Sequence, residues 1–240
     1  MQVRHAYHKF FSYYSELVTH DKVGYTDENE KTVKVLGVFT DRAISLNRSI
    51  SMLYEARHYE DAAILCRTLF ETTIRFAFIT LDKEKSKSRT GTYLADMEFK
   101  NGLLEDIKHL KFIDYKEARK MVEDERRKIL EKISAEETGL DEKKNIINMS
   151  KELNILAAYS MYYRLFSQYV HSKPKIFEIA DEKRREELGD YVMACGCFCW
   201  IMLSDHFNLY FKLRKENHIK SLHRDFNSVI KLLDKKNQNN

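Results

Sequence analysis

The sequence contains little of what a chain needs in order to turn often. It has seven glycines and one proline in 240 residues, whereas an average protein carries about 7% Gly and about 5% Pro. A β-rich fold with many tight turns is therefore disfavoured, and a helical fold needs fewer turns. Phe and Tyr occur fourteen times each and supply apolar surface for a core. The composition predicts an all-α helical bundle with long antiparallel helices.

Cysteine is also scarce, and its four positions do not form a disulfide framework. Cys195, Cys197 and Cys199 are two residues apart in an apolar run, where bridging geometry would be poor. Residues two apart on a helix point to opposite sides, so these thiols do not converge on one tetrahedral zinc ion either. We expect buried thiols that act as small apolar side chains in a reducing compartment, and neither a metal nor another cofactor.

Long hydrophobic runs are absent. The longest, from Tyr191 to Leu203, has 13 residues, and a membrane-spanning helix needs roughly 20. The N-terminal sequence MQVRHAYHKFF lacks the apolar stretch of a secretion signal. We therefore expect a buried helix over the long run, no membrane partner and a cytoplasmic location.

Charge of one sign is not in large excess, because 41 basic side chains are mixed with 37 acidic ones. This balance permits an anionic partner without requiring one. No linker interrupts the sequence, so we expect one domain over residues 1–240, with a protruding charged helical hairpin at about 93–133 and a frayed tail at about 235–240. Acidic residues lie among the bases of segment 116–132, which favours a solvated face over a nucleic-acid contact. Helical periodicity covers about 3–19, 29–55, 59–81, 155–172, 182–215 and 220–234.

Polar residues at helical spacing mark one candidate site. Arg164, Ser167 and His171 stand at i, i+3 and i+7, so all three face the same way on a helix. Arg67 and Glu71 lie four apart on the apolar third helix and can pair with each other. An ionic couple is costly to bury alone, so we expect it to meet the face that carries Arg164. Two further polar residues flank that face, Tyr163 and Gln168.

These residues resemble those of a known group. The pattern R-x3-E, followed about a hundred residues later by Y-Y-R-x2-S-x3-H, resembles a family of bacterial all-helical proteins catalogued as a domain of unknown function, over residues 38–174. More loosely, the arginine and histidine are similar to the Arg-x4-6-His signature of the higher eukaryote and prokaryote nucleotide-binding (HEPN) superfamily. Many HEPN proteins are metal-independent ribonucleases of toxin or antiviral systems.

The HEPN resemblance implies a reaction in which an RNA 2′-hydroxyl attacks its own phosphate. His171 would then transfer protons, and Arg164 would stabilise charge on the phosphate oxygens. Ser167 would hydrogen-bond the phosphate or orient the histidine, while Glu71 would pair with Arg67 or Arg164. The resemblance also implies a homodimer that joins two motifs, RNA or nucleotide as ligand, and a cognate antitoxin or defence partner protein.

Two readings other than a ribonuclease remain open from the residues alone. In one, the same arginine and histidine face belongs to a non-catalytic module that binds a nucleotide, an RNA or a protein. In the other, the polar group is a buried network that locks two helices of a structural or oligomerisation domain together. A di-iron site is disfavoured, because only Glu55 and His58 match Glu-x-x-His.

Overall fold

The fold is all-α in every part of the chain that the structure describes. The computed structural model describes residues 3–19, 23, 30–91, 93–94, 120, 123–124, 127–129, 131, 145–170 and 182–238, with side chains up to residue 235. Among these residues, helices occupy α1 (Val3–Val18), α2 (Glu30–Glu55), α3 (Tyr59–Thr80), α4 (Ile146–Glu152), α5 (Leu156–Ala158), a π-helical turn (Tyr159–Tyr163), α6 (Arg164–Val170), α7 (Glu182–Phe211) and α8 (Glu216–Gln238).

Contacts between the helices divide the chain into two compact units. The first comprises Met1–Gly24, Gly37–Leu81 and Asn145–Asn240, and it contains the bundle described below. The second comprises Tyr25–Leu36 and Asp82–Lys144. In the second unit the hydroxyl groups of Thr32 and Thr90 lie 3.2 Å apart in a buried position. Most of the predicted charged hairpin at 93–133 lies outside the described residues.

Helix α7 forms the centre of the first unit, with α3 and α1 packed along it. Among the described residues it is the one helix long and apolar enough to cross a membrane, but 72% of its most apolar window is buried inside the protein. Such burial is typical of a core helix. Trp200 lies fully buried on α7, with its ring 5.0 Å from that of Phe11 and 5.5 Å from that of Tyr14.

Neighbouring helices in the bundle pack in both relative directions. Two hydrogen bonds join α3 to α7, one from Cys66 to Val192 and one between Thr80 and His206. Both pairs are 126 residues apart in the sequence, so the two helices are parallel. α6 runs antiparallel to α3, because Arg67 contacts Tyr163 whereas Glu60, earlier on α3, acts on Tyr169, later on α6. The predicted antiparallel packing therefore holds between an inner helix and its outer neighbour.

Two glycines let tyrosine rings approach the central helix closely. A Cβ atom on Gly196 would clash with the ring of Tyr7, which is fully buried. A Cβ atom on Gly189 would lie 2.8 Å from Cε1 of Tyr59. Both glycines sit inside a helix, where Gly costs about 0.5–1 kcal/mol relative to Ala. They are retained because the facing rings occupy the space of a side chain.

The cysteines are free and buried, as the sequence predicts. Burial raises the pKa of Cys66, Cys195 and Cys197 above the ordinary thiol value. Their thiols therefore stay protonated at neutral pH and pack as small apolar groups.

The observed helix ends differ from the predicted ones by a few residues. α3 ends at Thr80, and α7 ends at Phe211 rather than near residue 215. Lys212 and Arg214 adopt positive φ angles of 52° and 59°, which stop the helix there. α8 continues to Gln238, so helical structure extends into the segment that we expected to fray.

Candidate functional site

Arg67 on α3 is held by Tyr163 at the end of the π-helical turn. One guanidinium nitrogen of Arg67 donates a hydrogen bond of 2.8 Å to the hydroxyl oxygen of Tyr163. The guanidinium carbon lies 4.7 Å from the centre of the same ring, which adds a cation–π contact. The Arg67 side chain is only 18% exposed. The interaction therefore fixes the arginine in a partly dehydrated position.

Glu71, one turn later on α3, neutralises this arginine. Its carboxylate lies 3.2 Å from the Arg67 guanidinium and 3.9 Å from that of Arg75. The three residues are spaced i, i+4 and i+8, so they form one row along the helix. Two cations share one carboxylate in this row, which leaves it with an excess of positive charge.

The chain adds one residue to a helical turn just before Arg164. In the π-helical turn Tyr159–Tyr163, the backbone N–H of Arg164 donates to the carbonyl oxygen of Tyr159, five residues earlier. One extra residue rotates the following helix by about 100° relative to a continuous α-helix. The rings of Tyr159 and Tyr163 stack with their centres 4.9 Å apart and their planes at 19°. π-helical turns often occur at functional sites.

Arg164 itself is exposed, and it has no ion-pair partner among the described residues. The side chain that meets Arg67 is therefore Tyr163, not Arg164 as the sequence suggested. Glu71 likewise pairs with Arg67 and Arg75. The sequence could not show which residue contacts Arg67, because the π-helical turn changes which residue of the Tyr-Tyr-Arg run faces α3.

The remaining predicted residues on α6 differ in their surroundings. Ser167 donates its hydroxyl proton to the carbonyl oxygen of Tyr163 at 2.6 Å, and Gln168 is exposed. Tyr162 is 2% exposed and packs on Phe70 and Phe198, so it belongs to the core. His171 lies outside the described residues, so its predicted position beside Arg164 stays a prediction.

Sequence reasoning missed two residues of this face, Tyr159 and Arg75. The spacing of Arg75, four residues after Glu71, was a usable signal for its place in the ionic row. The spacing of Tyr159, four residues before Tyr163, was an equally usable signal for the stacking of the two rings. Within the described residues, no group of three His, Cys, Asp or Glu side chains is arranged to hold a metal ion.

The fold and this face define an all-α protein with a cationic, tyrosine-bearing surface between two helices. The model of the family of unknown function DUF5677 matches residues 33–187. The chain belongs to that family, which confirms the expected membership of a family of unknown function. The match includes Arg67, Glu71 and the whole segment from α4 to α6. No curated protein and no solved structure gives a significant match.

Proposed function

We propose that the protein is a HEPN-like, metal-independent endoribonuclease whose phosphate-binding residue is Arg164. The observation that carries this proposal is an exposed guanidinium without an ion-pair partner among the described residues, at the exit of a π-helical turn. An exposed arginine presents its N–H donors to solvent, where an anion can bind them. Its planar fork of N–H donors matches two oxygens of one phosphate.

In the proposed reaction, the RNA 2′-oxygen attacks the adjacent phosphorus while its proton passes to a base. The bond from phosphorus to the 5′-oxygen breaks, and that oxygen takes up a proton. His171 performs these proton transfers, and Arg164 stabilises the negative charge on the non-bridging oxygens. The products are a 2′,3′-cyclic phosphate and a 5′-hydroxyl. DNA is not cleaved, because it lacks the 2′-hydroxyl.

The local contacts support a stable platform for this chemistry. Tyr163 is fixed through its hydroxyl to Arg67 and through its carbonyl oxygen to Ser167, so the backbone next to Arg164 is held at two points. Glu71 keeps Arg67 in place, which gives it a positioning role. The wider proposal includes a cytoplasmic toxin or defence role, a homodimer and a cognate partner protein.

The test incubates purified protein with total RNA in the presence of a chelator. We expect cleavage that ends in cyclic phosphate and is lost in Arg164→Gln and in His171→Ala. Arg48→Gln serves as the matched control, because Arg48 is an exposed arginine on α2, a helix that contributes no residue to the proposed site. Folding of each variant is checked by circular dichroism and melting temperature. Intact RNA with the wild-type protein, or equal cleavage by Arg164→Gln, contradicts the proposal.

One observation favours a second candidate, a module that binds RNA on this face without cleaving it. Ser167 uses its proton in a short bond to the backbone, so it cannot also donate to a phosphate. Ser167→Ala separates the candidates. A nuclease that uses this hydroxyl loses rate, whereas a binding module keeps its affinity for RNA within about twofold, a change of about 0.4 kcal/mol.

A further inference from the structure

The stacked tyrosines stand at the edge of a partly exposed apolar strip. Tyr159 and Tyr163 are both partly exposed, and their rings are nearly parallel at 4.9 Å. One turn before Tyr159, Leu156 is 42% exposed. Aromatic rings with an accessible face and apolar neighbours are suited to stacking against another flat ring.

Arginines lie in both directions from this pair. Arg164 follows Tyr163 directly and starts α6. On the facing helix α3, Arg67 contacts Tyr163, and Arg75 stands two turns further, about 12 Å along the axis. Because α3 and α6 are antiparallel, that displacement carries Arg75 towards the Tyr159 end of the strip. Arg75 is 37% exposed and shares Glu71 with Arg67.

We propose that Tyr159 stacks against an unpaired nucleobase while Arg164 and Arg75 bind the phosphates on its two sides, so that the ligand is single-stranded RNA. This inference rests on the proposed function, because it assigns the substrate class of the same face. Arg67 is not a phosphate ligand in this arrangement, since its side chain is only 18% exposed and one of its terminal nitrogens already contacts both Tyr163 and Glu71. Its role is to hold the ring on which Tyr159 stacks.

The alternation of ring and cation favours a single strand over a duplex. In a duplex the bases are stacked on each other and cannot reach a protein ring without being extruded. Stacking on an aromatic side chain accepts any base, and arginine contacts to the phosphates make binding depend on salt. Binding of a protein partner requires neither base stacking on an aromatic side chain nor arginine contacts to phosphates.

The test measures binding of a fluorescent 12-nucleotide RNA whose 2′-positions are all methylated, so that it cannot be cleaved by its own 2′-oxygen. We expect Tyr159→Leu to weaken binding at least about tenfold. Tyr159→Phe keeps the ring and should bind within about twofold of the wild type. Arg75→Gln should weaken binding and reduce its salt dependence, whereas the control Arg48→Gln changes neither. The same RNA in a duplex should bind more weakly.

The outcomes separate this inference from the proposed nuclease. Binding of the methylated strand without cleavage of ordinary RNA overturns the nuclease and keeps the stacking site. Cleavage of ordinary RNA by a Tyr159→Leu protein with unchanged affinity overturns the stacking site alone. No measurable binding of the single strand, or equal affinity for the duplex, also overturns it. A folded Tyr159→Phe protein shows that any loss in Tyr159→Leu comes from the missing ring.

Discussion

The core around α7 and the face between α3 and α6 are held together by different means. The core is held together by close packing: the ring of Tyr7 fills the space above Gly196, and the buried cysteines are neutral. On the face, ionic contacts hold the residues: Arg67 and Arg75 share the single carboxylate of Glu71, and Arg164 has no ion-pair partner among the described residues. A core residue can therefore be replaced only by one of the same size, whereas Arg164 can be replaced without loss of packing. The fold therefore requires the size of its core residues, whereas it does not require the side chain of Arg164.

The largest effect should follow from filling the space above Gly196. In Gly196→Ala, the added Cβ overlaps the ring of Tyr7, which is fully buried. We expect a loss of about 3 kcal/mol in the free energy of unfolding, measured by urea denaturation. Gly37→Ala is the matched control, because a Cβ there meets nothing within 4 Å. That variant should be more stable by about 0.5–1 kcal/mol. Equal effects of the two substitutions would refute the role of close packing.

The second effect compares two arginines that are close in space. Arg67→Met removes a charged hydrogen bond to Tyr163 and, among the described residues, leaves Glu71 paired with the more distant Arg75. We expect a loss of about 1–2 kcal/mol in unfolding free energy. Arg164→Met should change stability by less than about 0.5 kcal/mol, because its side chain is exposed. If Arg164→Met is as destabilising as Arg67→Met, the face is a structural lock throughout.

A third prediction concerns the pH dependence of the unfolding free energy, and it involves a buried histidine of the bundle. Burial lowers the pKa of His206 from 6.5 to about 4, and its Nδ1 lies 3.1 Å from the hydroxyl of Thr80. The unfolded chain takes up this proton first, so the stabilising contribution is complete above pH 6.5 and is lost as pH falls towards 4. Between pH 7 and pH 5 we expect a loss of about 1–2 kcal/mol, which His206→Gln should abolish. Unfolding curves at the two pH values measure it.

The smallest effect belongs to an exposed pair at the edge of the bundle. Nε2 of His223 on α8 lies 2.6 Å from a carboxylate oxygen of Asp205, and this hydrogen bond raises the pKa of His223. The contribution has the opposite sign to that of His206: it is complete below the unfolded pKa and is lost as pH rises through the folded one. His223→Gln should cost no more than about 0.5 kcal/mol at pH 6, and less in 1 M salt. A cost that does not change with pH would contradict the assignment.

The sequence was sufficient for the helices, because each long helix carries its own periodic apolar pattern. α3 and α7 begin at the predicted residues, Tyr59 and Glu182. Their parallel alignment was not predictable in the same way, since a hundred residues separate them along the chain. It emerges only from contacts such as Cys66 with Val192.

For the site, the spacing of residues within one helix predicted a contact correctly, whereas a contact between two helices could not be predicted from spacing. The pairing of Arg67 with Glu71 follows from four residues on one helix, and it is present. The contact of Arg67 with Tyr163 depends on the π-helical turn, which breaks the regular 3.6-residue period on which such predictions rest. In the observed structure, Tyr163 at the end of that turn contacts Arg67, and Arg164 after it is exposed.

Whether Arg164 serves phosphate binding and not folding is decided by measuring stability and RNA cleavage on one preparation of Arg164→Gln. We expect an unfolding free energy within about 0.5 kcal/mol of the wild type and a cleavage rate lower by at least about a hundredfold. The contradictory result is a protein that cleaves RNA at the wild-type rate, or one whose loss of activity is matched by a loss of stability.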